Sequence, residues 1–471
     1  MSSTFYPPLS QIAFSVIDLR RTEAWFREGL GFLSAGGDRL LMGSPIAGRV
    51  QGLSGAASCA WWMVGRNQWS QFELFQFRRP LAKLLPTDFR ACDIGPTRLG
   101  VHVFDFDAAL ANLARLGSEP LTPPMGEPGN RRACVRSPDG FFVEIMEDDP
   151  LPLPDGSERA DCPVAVRSVT VSTPDLEALE DYLTAVGGRE PEEIALHTPE
   201  HEALWGLPGA TCKRAVFRAG DILIEAVQYL DPVGTPRPQD HRICDQGILN
   251  IAYGARNKAD HTQVYKRAVA FGVGSHRKPF HLGGAGVVYM EEFQGLPVEI
   301  MWMKPGKMDM KYGFEPLPYD AYPQPDNQLI EDKILINAPA VQVWEVLNDQ
   351  DSMSQWCGFD EVEVIREGQT SRHGVGSERR MRGAMGKVVE QITNVEPERS
   401  LHYRVIDGAP FHFHRGEITL HPQGEQTEVH WRIGFRGKLP LMGGVIRRMM
   451  QPMLSGMLEN KLKPYIEGAG N

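Results

Sequence analysis

Hydrophobic and polar positions follow one recurring pattern through the first two thirds of the chain. A short run with alternating apolar residues comes first, as in Gln11–Val16, and an amphipathic stretch with helical periodicity follows it. Further alternating runs come next, and the last of them carries a single glutamate. Because strands repeat every two residues and helices every 3.6, this order predicts a unit of one strand, one helix and three further strands.

The unit occurs four times, so the first two thirds of the chain form an internal repeat. The opening strand residue and the late glutamate of the four units are Gln11 and Glu73, Arg98 and Glu144, Ser168 and Glu225, and Asn250 and Glu299. Asp18, Asp107 and Asp175 stand where a side-chain oxygen can cap the helix of units one to three. We expect units one and two to pair into one cupped sheet, and units three and four into another.

The last third of the chain has a different pattern. An alternating strand over residues 331–336 precedes a helix that places Val341, Trp344 and Leu347 on one face. Alternating runs continue to about residue 436, and a methionine-rich helical stretch spans roughly 441–466. This order predicts a curved antiparallel sheet wrapped around a long C-terminal helix, the helix-grip arrangement.

Two proline-rich stretches, over residues 150–163 and about 305–325, read as linkers. They predict three domains, at residues 1–150, 163–304 and 329–468. The fold class is α+β, with four strand–helix–three-strand units in two cupped mixed sheets followed by the helix-grip domain.

Composition limits the partners and the compartment. With 49 basic and 60 acidic residues the formal net charge is −11, which argues against nucleic acid and against an anionic membrane as partners. Seven scattered cysteines form no CxxC pair, and no apolar run approaches the length of about 18–20 residues that spans a bilayer. The N-terminus does not resemble a signal peptide. We expect a cytoplasmic protein.

The repeated unit resembles the vicinal oxygen chelate superfamily, which includes glyoxalase I, extradiol dioxygenases and fosfomycin-resistance proteins. The clearest match is the end of unit two, Arg-Ser-Pro-Asp-Gly-Phe-Phe-Val-Glu-Ile at residues 136–145. The resemblance covers roughly residues 8–304. It implies that the opening residue and the late glutamate of two paired units point into one cup, where metal-dependent members hold a divalent cation.

The two expected cups depart from that pattern. In the first, Arg98 joins Gln11, Glu73 and Glu144, and a guanidinium cannot ligate a metal. Arg98 could instead form a bidentate pair with Glu73 or Glu144 and fill the place of the metal.

The second expected cup contains Ser168, Glu225, Asn250 and Glu299 and lacks both histidines that an iron dioxygenase would need there. We therefore expect no required cofactor. A divalent metal is the alternative, with Glu225, Glu299, His276 and His281 as ligands.

Residues 337–347, with Gln355 and Trp356 shortly after, resemble the polyketide cyclase/START-like superfamily over roughly 329–468. The resemblance implies a hydrophobic ligand between the sheet and the last helix, where Trp356 and Met453 would contact it. Within strand 411–420, one face carries His412 and His414, and the other carries Arg415. Strand parity leaves open which face is internal.

We expect an enzyme that performs a non-redox step on a hydrophobic cyclic or polyketide-like metabolite. The step would be a cyclisation, dehydration, isomerisation or lyase reaction. The acid/base candidates are Glu225, Glu299, His412 and His414, and the substrate-binding candidates are Asn250, Trp356, Arg415 and Met453. The alternatives are a hydrophobic small-molecule binding or sequestration protein and a metal-dependent ring-cleaving dioxygenase. Pairing of units across a homodimer is also open.

Overall fold

A computed structural model describes residues 5–384 and 386–468 of the chain. It divides into two compact units, the first ending at Pro323 and the second beginning at Gln324. Among the described residues, no helix combines the length and apolar character needed to cross a membrane.

The first unit repeats a strand–helix–strands order four times. Its strands are β1 (Leu9–Ser15), β2 (Leu33–Asp38), β3 (Ala57–Val64), β4 (Gln71–Arg79), β5 (Gly95–Val103), β6 (Arg132–Arg136), β7 (Phe142–Met146), β8 (Val164–Ser172), β9 (Thr211–Ala219), β10 (Ile222–Asp231), β11 (Gly247–Ala255), β12 (Phe280–Leu282), β13 (Ala285–Tyr289) and β14 (Val298–Met303). Its α-helices are α1 (Leu19–Ala24), α2 (Pro45–Val50), α3 (Phe106–Arg115), α4 (Leu176–Gly187), α5 (Lys258–Phe271) and α6 (Lys307–Lys311).

Units one and four have three strands after the helix, whereas units two and three have two strands and an isolated bridge. The α+β class and the repeated units are confirmed. Two of the three predicted helix caps are also correct, since Asp18 and Asp175 accept hydrogen bonds from helical N–H groups. For α3 the cap is Asp105 rather than Asp107.

The pairing of the units differs from the expectation. One sheet has the order β12-β13-β14-β11-β1-β4-β3-β2, so unit one pairs with unit four. The other has the order β6-β7-β5-β8-β10-β9, so unit two pairs with unit three. The opening strands meet antiparallel in both sheets, β1 with β11 and β5 with β8. Because β8 is the next opening strand after unit two, it takes the edge of β5, and β1 is left to pair with β11.

Residues of both proline-rich stretches form hydrogen bonds or ring contacts with the first unit. In the first stretch, Arg159 donates to the carbonyl oxygens of Gly65 at 3.2 Å and Gln68 at 2.7 Å. In the second, the Tyr322 ring stacks on Trp61 with centroids 4.4 Å apart, and its hydroxyl donates to the carbonyl oxygen of Trp62 at 3.0 Å. The predicted boundary at 150–163 therefore does not separate two independent sheets.

The second unit confirms the helix-grip arrangement. Its strands are β15 (Gln328–Ile336), β16 (Glu361–Arg366), β17 (Glu378–Gly383), β18 (Gly386–Glu396), β19 (Ser400–Asp407), β20 (Phe411–Gln423) and β21 (Gln426–Gly437), and its α-helices are α7 (Ala340–Asn348), α8 (Met442–Met457) and α9 (Lys463–Gly468). The strands form one antiparallel sheet in the order β15-β21-β20-β19-β18-β17-β16. Leu454 and Leu458, from the C-terminal helical segment, pack into the core with sheet residues such as Ile418 and Trp431.

Candidate active site in the first unit

The observed pairing places four polar side chains on one face of the eight-stranded sheet. On β1, Gln11 lies opposite Ala252, and Ala13 lies opposite Asn250 of β11. Ala13 also pairs with Glu73 of β4, and Ala252 pairs with Glu299 of β14. Because alternate residues share a face, Gln11, Glu73, Asn250 and Glu299 are brought together around a local two-fold relation between units one and four. We call this the Glu73–Glu299 cup.

Each carboxylate in this cup receives one amide and one aromatic donor. Gln11 Nε2 donates to Glu73 Oε2 at 2.5 Å, and Trp62 Nε1 donates to Glu73 Oε1 at 2.9 Å. In the related half, Asn250 Nδ2 donates to Glu299 Oε2 at 3.2 Å, and the Tyr289 hydroxyl donates to the same carboxylate. All these donors are neutral, so none of them cancels the charge of a carboxylate.

Burial strongly perturbs both acids. It raises the pKa of Glu73 to about 8, and repulsion from Glu299 adds to the effect while the bonds from Trp62 and Gln11 oppose it. Burial also raises the pKa of Glu299 to about 7, against the hydrogen bonds from Tyr289 and Asn250. The mutual repulsion shows that the two carboxylates sense each other across the cup.

A cavity of about 120 Å³ opens above these carboxylates. The polar residues of its lining are Gln11, Gln51, Gln71, Glu73 and Glu299, together with Trp62, Tyr289 and Tyr312. Its walls are mainly apolar, formed by Leu41, Met42, Ile46, Ala47, Val50, Phe280, Leu282, Ala285, Val287, Met301 and Met303. No Lys, Arg or His is among the described residues that line it. The cavity therefore joins an apolar chamber to two acids that the protein itself does not neutralise.

The donor set of this cup fits a hard divalent cation. Two carboxylates and the amide of Gln11 face the cavity, and oxygen ligands of this kind suit magnesium or manganese. Gln71 Oε1 is buried without a hydrogen-bond partner among the described residues and lines the same cavity. Asn250 does not line it, because its shorter side chain is fully buried beside Glu299. Asn250 donates to a candidate ligand, Glu299, and its predicted role in substrate binding stays a prediction.

The six-stranded sheet forms the second cup from Arg98, Glu144, Ser168 and Glu225. Arg98 Nη2 lies 2.9 Å from Glu225 Oε2, and Arg98 Nε lies 3.7 Å from Glu144 Oε2. His197 bridges the same acids, with Nδ1 2.8 Å from Glu225 and Nε2 2.8 Å from Glu144. We call this group the Glu144–Glu225 cup; protein cations occupy the space between its acids.

The pKa values of the acids in the Glu144–Glu225 cup are lowered, whereas those in the Glu73–Glu299 cup are raised. Burial alone would raise the pKa of Glu144, but His197, Arg132 and Arg98 lower it to about 2. The pKa of Glu225 is likewise lowered against the effect of burial, by His197, Arg98 and Arg214. Burial disfavours the charged form of His197, yet the two glutamates outweigh this effect and raise its pKa above the ordinary value. These acids are poor bases.

Several sequence predictions for the first unit are therefore corrected. Glu225 and Glu299 do not share a cup, because they belong to different sheets. Arg98 does pair with Glu144 but not with Glu73, and its main partner is Glu225.

The two histidines that the sequence offered as metal ligands also lie away from the carboxylates of the cavity. His276 and His281 are exposed and do not belong to the residues that line the cavity. His281 Nδ1 instead accepts a hydrogen bond from Trp302 Nε1 at 3.0 Å, and the ring of His276 lies against Gly52.

In the second unit, the structure settles which face of β20 is internal. His414, Gly416, Ile418 and Leu420 are buried, so the aliphatic end marks the inside. Phe413 has φ +51° within an irregularity between His412 and Arg415, which interrupts the alternation. As a result Phe411, rather than His412, packs against the core and stacks on His414 at 5.4 Å.

The other candidate site residues of the second unit also divide into buried and outward-facing side chains. Arg415 lies on the outer face and pairs with Asp326 at 3.0 Å. Met453 is half exposed and faces away from the core. Trp356 is buried, and its Nε1 has no hydrogen-bond partner among the described residues. His414 Nδ1 accepts from the backbone N–H of Val405 at 3.2 Å, and burial lowers its pKa to about 3, so it is neutral.

Comparisons with known proteins support the composite organisation. The model of the family described as "Polyketide cyclase / dehydrase and lipid transport" matches residues 328–466, which confirms the predicted resemblance of that segment. No curated protein sequence matches the chain.

Two solved structures illustrate the likeness of each part. Glyoxalase I from Zea mays is 14% identical, with 65% of this chain and 95% of that chain covered and a TM-score of 0.42. A START superfamily protein from Mycobacterium smegmatis is 14% identical, with 30% of this chain and 99% of that chain covered and a TM-score of 0.28. At these values the likenesses carry no argument about chemistry, which must come from the residues themselves.

Proposed function

We propose that the first unit is an enzyme that transfers a proton in a non-redox reaction, an isomerisation or a lyase step, on an uncharged hydrophobic small molecule. The observation that carries this proposal is the pair of buried carboxylates, Glu73 and Glu299, in the wall of a mainly apolar cavity whose described lining contains no basic side chain. Buried acids without a cation demand a proton, a metal or a substrate group as partner. Catalytic sites commonly contain such groups.

A divalent cation belongs to this proposal. Gln11, Glu73 and Glu299 would hold it, with Gln71 as a further oxygen donor facing the cavity. When bound, such a cation polarises a carbonyl or enolate oxygen of a substrate. From the sequence, Arg98 spoke against a metal beside Glu73, and the missing histidines spoke against an iron site beside Glu299. Arg98 lies in the other cup.

The side chains around the cavity have three roles: binding the substrate, transferring the proton and orienting the carboxylates. The apolar walls exclude water and hold the hydrophobic part of the substrate. A carboxylate that faces the cavity accepts the proton of a carbon next to a carbonyl group, which leaves an enolate with its charge on the oxygen. The resulting carboxylic acid returns the proton to the enolate, so no oxidant or reductant is needed. Trp62 and Tyr289 fix the orientation of the carboxylates through their hydrogen bonds.

The lining also supports an uncharged substrate. A carboxylate or phosphate on the substrate would find no Lys, Arg or His on the described walls of the cavity. Placing an unpaired anion in an apolar chamber is strongly unfavourable. The substrate class is therefore a neutral, largely apolar compound with a carbonyl group.

Hydrogen–deuterium exchange tests this function with a matched pair of probes. The neutral 1-hydroxy-3-phenylacetone and the anionic phenylpyruvate differ in one group, and exchange of their benzylic hydrogens in deuterated buffer with magnesium is followed by mass spectrometry. We expect exchange of the neutral probe, at least about a hundredfold slower in Glu73→Gln and Glu299→Gln. The control Glu119→Gln changes an exposed acid and should keep the wild-type rate. An unchanged rate in both cup variants would contradict the proposal.

For the second unit we infer a hydrophobic ligand-binding role. The family match over residues 328–466 and the unpartnered Nε1 of buried Trp356 support it, because that N–H is available to an oxygen of a bound molecule. The neutral fluorescent probe N-phenyl-1-naphthylamine should bind the full-length protein. A hydroxylated analogue should gain affinity over it in the wild type but not in Trp356→Phe. Equal gains in both proteins would contradict a role for this N–H.

A further inference from the structure

The outward face of helix α8 carries a continuous apolar stripe. Leu441, at the start of the helix, is 90% exposed, and Val445, Met449 and Met453 follow at four-residue intervals with 60%, 54% and 51% exposure. Residues four apart lie on the same side of a helix, so the four side chains form one ridge. The opposite side is already used, since Leu454 and Leu458 are buried in the core. The four side chains of the ridge therefore do not contribute to the core of the second unit.

The same segment is locally basic in an acidic protein. Between Lys438 and Leu458 the sequence contains Lys438, Arg447 and Arg448 and no Asp or Glu. The chain has 49 basic and 60 acidic residues, so the remainder has 46 basic and 60 acidic residues, a net charge of −14. Arg447 and Arg448 are exposed, and neither forms an ion pair with a described residue. An anionic surface would be attracted here and repelled elsewhere.

We propose that the α8 face, defined by Leu441, Val445, Arg448, Met449 and Met453, docks the protein onto an anionic phospholipid bilayer. A helix that combines an apolar ridge with a basic side chain beside it lies in the plane of a membrane interface, with the apolar side chains among the upper acyl chains and the guanidinium group of Arg448 at the phosphates. A second copy of the chain fits less well, because a symmetric pairing of this face would bring the arginines of both copies together.

This inference is independent of the chemistry in the first unit. The sequence-based expectation of no membrane partner used the total charge and the absence of a spanning segment. Neither criterion detects a surface helix, because its apolar residues are distributed at helical spacing and its charge is masked by the acidic remainder of the chain.

Vesicle co-sedimentation of the full-length protein tests the proposal. The vesicles are pure phosphatidylcholine, or phosphatidylcholine with roughly a third phosphatidylglycerol. We expect at least tenfold stronger partitioning onto the anionic vesicles, weakened by added salt. The variant Leu441→Ser/Met449→Ser/Met453→Ser should lose binding at least tenfold. Arg447→Gln/Arg448→Gln should reduce the preference for anionic vesicles.

A matched control separates this face from general surface hydrophobicity. Leu335→Ser/Val341→Ser removes two exposed apolar side chains from other elements of the second unit and should leave vesicle binding unchanged. Because all substituted residues are exposed, unfolding midpoints should remain close to wild type and confirm folding. No binding to anionic vesicles, or equal binding by the triple variant, would overturn the proposal. A dimer that dissociates in the triple variant would overturn it in favour of self-association.

Discussion

The contrast between the two cups predicts opposite effects of the same substitution. Glu299→Gln and Glu225→Gln each replace a buried carboxylate of a late strand by an amide of nearly equal size. In metal-free protein, Glu299→Gln should stabilise the first unit, because it removes a charge that no described basic side chain compensates. Glu225→Gln should destabilise it, because Arg98 and His197 lose the carboxylate that they contact.

The magnitudes follow from the environments. A rise in the pKa of Glu299 from 4.5 to about 7 means that ionisation disfavours the folded state by about 3 kcal/mol at pH 8. The gain from Glu299→Gln should approach that value, since the new amide can still accept from Tyr289 and Asn250. Removing one member of a buried charge cluster costs about 3–5 kcal/mol, which applies to Glu225→Gln.

The sign of the pH dependence adds a second check. Because the folded pKa of Glu299 is raised, the wild-type protein loses stability as the pH rises from about 4.5 through about 7. The benefit of Glu299→Gln should therefore be absent near pH 4 and complete above pH 8.

Urea unfolding followed by circular dichroism, with EDTA present, measures both variants against the wild type. Excess magnesium should then stabilise the wild type but not Glu299→Gln. Equal destabilisation by both substitutions would refute the reasoning, because it would mean that the charge of Glu299 is compensated within the protein.

Three further predictions concern individual groups. Because the pKa of Glu144 is lowered to about 2, its contribution to stability is present above about pH 4.5 and is lost as the pH falls towards 2. Glu144→Gln should abolish this part of the acid unfolding transition, which a pH titration followed by fluorescence measures. Arg379→Met should destabilise the second unit by about 3 kcal/mol or more, because it leaves Glu390 buried without its 2.7 Å partner, and Arg379→Met/Glu390→Gln should recover part of the loss in urea unfolding. Asn250→Ala should weaken metal binding by roughly tenfold in calorimetric titration without abolishing it, because Asn250 orients Glu299 and does not line the cavity; complete loss would identify it as a ligand.

Local sequence patterns were sufficient to predict the fold class, but not the partners of the units. The alternation in the opening strands and the glutamate of each closing strand identified Gln11, Glu73, Asn250 and Glu299 individually. Which opening strand meets which is a long-range choice, because any two of the four edges can form an antiparallel pair with the same apolar pattern. The wrong pairing placed Arg98 with Glu73 and so removed the strongest candidate metal site from consideration.

Two other details could not be read from periodicity. His197 lies in an irregular segment between α4 and β9, and only the folded structure brings its ring between Glu144 and Glu225. In β20, the irregular backbone at Phe413 breaks the two-residue alternation on which the parity argument depended. Both cases involve backbone outside regular periodic structure, where side-chain direction does not follow from sequence spacing.

The metal content of the protein tests the central claim most directly. Full-length protein, purified without chelators and incubated separately with magnesium, manganese, cobalt, nickel and zinc salts, is desalted and analysed by native mass spectrometry. We predict one divalent ion per chain, lost in Glu73→Gln/Glu299→Gln and retained in Glu119→Gln, because the two buried acids of the Glu73–Glu299 cup line a cavity whose described lining contains no basic side chain. A chain that takes up none of these ions, or a double variant that still carries one, would contradict it.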